Sequence, residues 1–214
     1  VPTLSEMLVA DDDRSYAMVI ALAKLGKTKI LVDAAKNPKL SVNLRMYCMG
    51  HLRGAGSEST RTVLQLAGSK EVEIRRRAIT ELGYVGSADD AVIKTLIGAL
   101  RDDDVAVRGN AVYSLRSFWW MSKYRDVVRD GIRPRLLDDD ENIAAWAYII
   151  YPELGGDNRA ALEKYLESAN DVERLRAAAR LLQVPRSKDS KVPLERLIEI
   201  AEKGLEHKDL SVQM

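Results

Sequence analysis

Cysteine, histidine and phenylalanine are almost missing from this chain of 214 residues. The single cysteine, Cys48, excludes an internal disulfide framework and falls where a small buried residue is wanted, so it reads as a structural thiol. The two histidines, His51 and His207, stand 156 residues apart and do not form a ligand cluster with their neighbours. Glycine, at 13, and proline, at 6, are too sparse for a fibrous or disordered chain. Charge of one sign is also lacking. Against 33 Lys and Arg stand 32 Asp and Glu, a net charge of +1, so no global field draws the chain onto phosphate backbones or anionic membranes. No apolar run approaches the roughly 18 residues of a membrane span, and no export leader opens the chain. A glycine-rich phosphate loop, a serine elbow and zinc-ligand spacing are absent as well. The expectation is therefore no catalytic residue, no metal and no cofactor.

What remains is an ordinary core-forming composition, 46% hydrophobic and 30% charged, arranged in a repeat. An apolar anchor is followed by a basic residue, with a small residue four after the anchor. The pattern appears at Leu44/Arg45/Cys48, Ile74/Arg75/Ala78 and Val107/Arg108/Ala111, and more loosely at Ile143/Ala144/Ala147 and Leu175/Arg176/Ala179. The anchors lie 30, 33, 36 and 32 residues apart, the period of stacked helical pairs. The sequence thus predicts an all-α superhelix of about six helical pairs, an α-solenoid in which each pair buries its apolar face against its neighbours.

The helix signals agree with that period. Ser41, Glu71, Asp104, Asp140 and Asp209 precede the anchors by three residues, and all but Glu71 are good N-caps. Gly26, Gly54, Gly83, Gly86 and Gly155-Gly156 stand where a first helix must stop in the left-handed conformation. Second helices are predicted over 28–36, 58–67, 89–100, 123–137, 158–168 and 192–206. Pro152 is expected to shorten or kink the first helix of the fifth repeat.

The ends are less regular. Val1-Pro2-Thr3-Leu4, with Met7 and Leu8, reads as the second helix of a repeat whose first helix is missing. Asp209-Leu210-Ser211-Val212-Gln213 parallels Asp104-Val105-Ala106-Val107-Arg108. Without polar capping units, residues 1–214 are expected to form one continuous repeat domain cut from a longer array, cytoplasmic in placement. Its apolar end faces could stack chain on chain.

Asp104-Val105-Ala106-Val107-Arg108-Gly109-Asn110-Ala111, its counterpart Val72-Glu73-Ile74-Arg75-Arg76-Arg77-Ala78 and the following Leu82-Gly83-Tyr84-Val85-Gly86 resemble the HEAT-like repeat also found in phycobilin lyases. The resemblance is strongest between about 40 and 140 and fades in the fifth repeat, where Ala144 replaces the arginine. It implies a right-handed superhelix with second helices lining the concave side, and most often a role in binding another macromolecule. It identifies an architecture, not a reaction.

The recurring Arg45, Arg75 and Arg108 suit inter-repeat salt bridges to acids near the next helix start better than a nucleic-acid ladder. The tract Ser117-Phe118-Trp119-Trp120-Met121-Ser122-Lys123-Tyr124 departs from the repeat and lengthens it, and such insertions map to loops on a working face. Trp119, Trp120 and Tyr124 are therefore candidate interface anchors, with Phe118 and one tryptophan able to pack inside instead. Arg125, Arg129 and Arg133 follow at i, i+4 and i+8, a basic stripe in which Arg129 and Arg133 align with the apolar Ile93 and Ile97 of the preceding repeat. Asp126 and Asp130 interleave with it and lower its field.

The leading expectation is a non-enzymatic scaffold or adaptor. It would bind a protein, such as an acidic or phosphorylated segment, through the concave face and this aromatic and basic patch; nucleic acid and membrane are not expected partners. The alternative is an enzyme resembling a bilin lyase or a HEAT-like DNA glycosylase. For the glycosylase Trp119-Trp120 is a partial echo, but Met121 stands where that family carries an acid. HEAT-like deoxyhypusine hydroxylases need His-Glu pairs, whereas His51 precedes Leu52 and His207 precedes Lys208.

Overall fold

Three of the predicted helix starts, Ser41, Asp104 and Asp140, find their caps in the computed structural model of the chain. The structure describes residues 8, 12–84, 89–118, 120–183 and 192–206, excluding the side chains of the last two. Ser41 Oγ accepts from the Leu44 amide at 3.1 Å, Asp104 Oδ1 from Val107 at 2.9 Å, and Asp140 Oδ1 from Asn142 and Ile143, each at 3.0 Å. Each bond satisfies an amide that the first turn leaves open. Glu71 makes no side-chain cap. Its carboxylate is taken instead by Arg45, whose Nη1 donates to both oxygens at 2.7 and 2.9 Å.

The described residues form twelve α-helices and no strand. They are α1 (Asp13–Lys24), α2 (Thr28–Lys36), α3 (Val42–Gly50), α4 (Ser57–Leu66), α5 (Val72–Leu82), α6 (Asp90–Ala99), α7 (Val105–Arg116), α8 (Arg125–Ile132), α9 (Glu141–Glu153), α10 (Asn158–Tyr165), α11 (Asp171–Gln183) and α12 (Leu194–Glu206). Two 3-10 segments, Ser122–Tyr124 and Arg133–Leu137, flank α8. First and second helices alternate along the chain, and the second helices fall within a few residues of their predicted bounds. None is long and apolar enough to cross a membrane.

The chain groups into two compact units, Val1–Val128 and Arg129–Met214. In the first, first helices stack on one another, α1 on α3, α3 on α5 and α5 on α7, and second helices do likewise from α2 through α6. Their core contains Leu44, Met49, Ile74, Ile79, Leu82, Leu96 and Leu115. Cys48, 0% exposed, sits at its small-residue position as expected. In the second unit α9 packs on the Arg133–Leu137 turn, and α11 packs on α10 and α12 around Ile143, Ile150, Leu162, Ala177 and Leu181.

Two expectations change. Gly26, Gly54 and Gly155 do take positive φ, at 65, 67 and 82°, but Gly83 stays right-handed at −66°. Gly83 is needed for closeness rather than for its dihedral: a Cβ there would lie 2.8 to 3.1 Å from Oγ, Cβ and Cα of Ser114 on α7. Gly86 and the terminal stretches read as partial repeats lie outside the described residues, apart from Leu8.

Pro152, expected to shorten α9, does not. The helix runs to Glu153 with proline in its last turn. Proline there withholds the amide that would have bonded Tyr148 O, and Asn158 Nδ2 donates to that carbonyl instead at 2.7 Å. A side chain from α10 thus repairs the ladder.

Candidate functional site

The recurring arginines are structural, as their spacing implied. Arg45 is 4% exposed and ties Ala35 O, at 3.2 Å, to Glu71 of the following repeat. Arg75 grips Asp102 through Nε and Nη2, each at 3.0 Å. Arg108 donates from Nη1 to Asp102 O and Asp103 O at 3.0 and 3.2 Å. A second rank of pairs reinforces these: Arg76 with Asp104 at 2.6 and 2.8 Å, and Arg53 with Glu81, whose carboxylate also lies 2.8 Å from Arg77 Nε. Arg53 in turn lies over the Tyr84 ring at 4.1 Å. Side chains this heavily engaged are not a ladder for phosphates.

The aromatic loop after α7 divides into inner and outer residues. Phe118 is buried in the core. Trp119 lies outside the described residues. Trp120 is 60% exposed, and its indole N–H donates to Ser117 O at 3.0 Å, so the ring faces solvent with its polar atom already satisfied. Tyr124, expected as an anchor, is instead 7% exposed. Its hydroxyl donates to Asp90 Oδ1 at 2.8 Å, and Lys123 Nζ reaches the same oxygen at 2.8 Å. The Lys123 and Tyr124 hydrogen bonds hold the Asp90 carboxyl below the usual carboxylate range. Tyr124 is thus a clamp from the loop to the start of α6, which leaves Trp120 as the exposed aromatic among the described residues of this loop.

The basic stripe also reads differently in three dimensions. Tyr124, Val128 and Ile132 carry the buried positions of this segment, each one residue before an arginine. Arg129 and Arg133 therefore do not displace the core, as their alignment with Ile93 and Ile97 had suggested. The α-helix stops at Ile132 and Arg133 opens a 3-10 segment with Pro134 next, so the i, i+4, i+8 register does not persist through Arg133. Arg125 is exposed and makes no ion pair among the described residues. Arg129 is half-buried with Asp130 at 3.8 Å. Arg133 is exposed beside Tyr165, whose hydroxyl pKa is raised by burial and drawn partly back by that guanidinium. The division into two units falls between Val128 and Arg129, so the first unit carries Trp120 and Arg125 and the second carries Arg129 and Arg133. No cluster of three or more His, Cys, Asp or Glu side chains able to hold a metal occurs among the described residues.

One feature went unread in the sequence: a groove of about 310 Å3 in the second unit, between α9 and α11. Its signal was present in α9, where Tyr148 and Ile149 are apolar on the side away from the buried Ile143, Ala147 and Ile150.

Stacked helix pairs cross-linked by arginine to the following turn define a repeat scaffold. Residues 60–150 match the family model of HEAT repeats, and the described residues as a whole form an all-α array of helices. It is 28% identical over 108 residues to the ATP-dependent protease ATPase subunit HslU of Staphylococcus saprophyticus, a stretch that is 50% of this chain and 21% of that protein. The chain therefore spans about a fifth of the length of that curated relative. Among solved structures it is similar to Cex1p (18% identity, 78% of this chain and 36% of that one, TM-score 0.54). It is also similar to YibA of E. coli (17%, 94% and 72%, TM-score 0.53) and to an engineered protein (16%, 98% and 64%, TM-score 0.50). At these identities the structural likeness is one of fold.

Proposed function

We propose that this chain is a non-enzymatic scaffold that binds another protein, with Trp120 as the apolar anchor and Arg125 orienting an acidic or phosphorylated segment. The observation that carries this reading is the state of Trp120: a large ring 60% exposed on a loop that lengthens its repeat, with its N–H already bonded to Ser117. Such a ring gives up little hydration of polar groups when covered, and tryptophan and arginine are the residues most enriched where binding energy concentrates. Arg125 supplies a cation without a resident partner among the described residues.

The test is affinity capture from a lysate of the source cell with the full chain and with a Trp120→Ala/Arg125→Ala variant. A Tyr124→Phe variant serves as a control for the loop clamp. A partner retained by the wild type and by Tyr124→Phe, and lost by the double variant, supports the reading; one retained equally by all three removes the patch from function. Uptake of a linear tetrapyrrole, or release of alkylated base from DNA, would replace the scaffold with an enzyme.

A further inference from the structure

The groove in the second unit is a departure from the stacking seen in the first. There, each first helix lies against the next. Here Ala145, Tyr148 and Ile149 of α9 face Arg180 and Gln183 of α11 across an open slot of about 310 Å3, floored by Leu162 of α10. That volume is at the lower end of pockets that enclose a ligand group.

Two independent properties give the slot a ligand chemistry. The first is unspent apolar surface. Ile149 is 52% exposed and Tyr148, also lining the slot, 36%, although α9 already buries Ile143, Ala147 and Ile150 on its other side. A helix apolar on two faces is suited to being covered on both. The second is Arg180, the one charged residue among the described residues that line the slot. It makes no hydrogen bond or ion pair among the described residues. Its neighbours on α11 are engaged: Arg174 donates to Ser168 O at 2.6 Å and Arg176 to Leu137 O at 3.2 Å. A guanidinium beside apolar walls, with no acid among the described lining residues, is complementary to a carboxylate. The reduced local dielectric strengthens that pairing over one in open water.

We infer that this groove is a docking slot for a peptide segment of a partner protein, which inserts one bulky apolar side chain between α9 and α11 and pairs an adjacent carboxylate with Arg180. Ala145 leaves the room for the inserted side chain, Tyr148 and Ile149 cover it, and the exposed Gln183 amide is placed to meet the peptide backbone. The site belongs wholly to the second unit and does not depend on Trp120 or Arg125.

The experiment titrates the full chain into fluorescein-labelled peptides of about twelve residues that carry Phe or Leu beside Asp. Counterparts replace the Asp by Asn or the apolar residue by Ser, and anisotropy is the readout. Saturable binding is expected for the Asp peptides. Arg180→Gln should weaken it at least about fivefold by removing a charge-assisted pair, with partial recovery in Arg180→Lys. Ala145→Trp, a substitution at an exposed position that fills the slot, should weaken it about tenfold or more, and Trp120→Ala should leave it unchanged. Circular dichroism of each variant establishes that it is folded. Binding that survives both slot variants, equal affinity for the Asn peptides, or no saturable binding of any peptide overturns the inference. So does decanoate binding in the slot without peptide binding, or a concentration-dependent dimer that Ala145→Trp abolishes, since a lipid or a second copy would then be the occupant.

Discussion

Arg75 reaches from α5 to the turn before α7 and closes a two-pronged ion pair on Asp102, Nε to Oδ2 and Nη2 to Oδ1, both at 3.0 Å. Its remaining nitrogen donates to the Ser69 and Lys70 carbonyls at 3.0 and 3.3 Å, so one side chain joins its own helix to the turns on either side. With side-chain exposures of 19 and 16%, the pair is shielded enough to exceed an ordinary surface bridge. Arg75→Ala is expected to destabilise the chain by about 2 kcal/mol, and Arg75→Ala with Asp102→Asn by less than the sum of the two, with a coupling of about 1 kcal/mol. Urea denaturation of the four proteins measures it, and strict additivity would show the pair to be energetically idle.

Acid should reveal the neighbouring pair. The Arg76 guanidinium, donating to both Asp104 oxygens, holds that carboxyl at about 2, helped by the Val107 amide and opposed by burial. Its folded value lies below the ordinary 3.8, so its stabilisation is complete above about pH 4 and is lost as pH falls through 4 towards 2. The difference in Tm between wild type and Asp104→Asn should therefore be largest near pH 5 and shrink by pH 2. A difference that is flat across that range would assign the effect to shape rather than charge.

Burial pushes the Cys48 thiol up to about 11, so almost no thiolate exists at pH 8, and the sulfur is 0% exposed. The native chain should be inert to a thiol-specific disulfide reagent at pH 8 and should react with one equivalent on denaturation. Fast labelling of the folded chain would place local opening of α3 well below the global stability.

Gly83→Ala tests the close approach of α5 and α7. Backbone strain is not at issue at φ −66°, and the new methyl meets Ser114. Since Ser114 Oγ donates to Ile79 O at 3.0 Å and is held in place, the expected loss is about 1 to 3 kcal/mol. Ser114→Gly should recover part of it in thermal melts of the double variant, and a neutral Gly83→Ala would show that the helices separate freely.

Much of the architecture was legible because a repeat says the same thing several times. Caps at Ser41, Asp104 and Asp140, the arginine after each anchor, and the turn glycines at 26, 54 and 155 each obey a local rule that tertiary packing then uses. The candidate site was less legible because it lies where the repeat breaks. A one-residue offset, with Val128 and Ile132 rather than the arginines facing inward, cannot be read from an alignment that assumes equal spacing. Tyr124 looked like an anchor until Asp90, 34 residues earlier, was found to receive its hydroxyl. Pro152 looked like a breaker because its repair by Asn158 is a contact between helices, which carries no sequence period. The α9–α11 groove is the hardest to foresee of all, being a place where two helices do not meet.

Arg45 sets a rule for how such a chain can be cut or copied. Its guanidinium is almost wholly enclosed, and the carboxylate that neutralises it, Glu71, belongs to the next repeat. A breakpoint between Leu66 and Glu71 would respect the helix pair and still strand a buried cation, at a cost of a few kcal/mol. The portion that can be duplicated, deleted or grafted without that penalty therefore runs from one arginine to the acid beyond it, out of phase with the helices themselves.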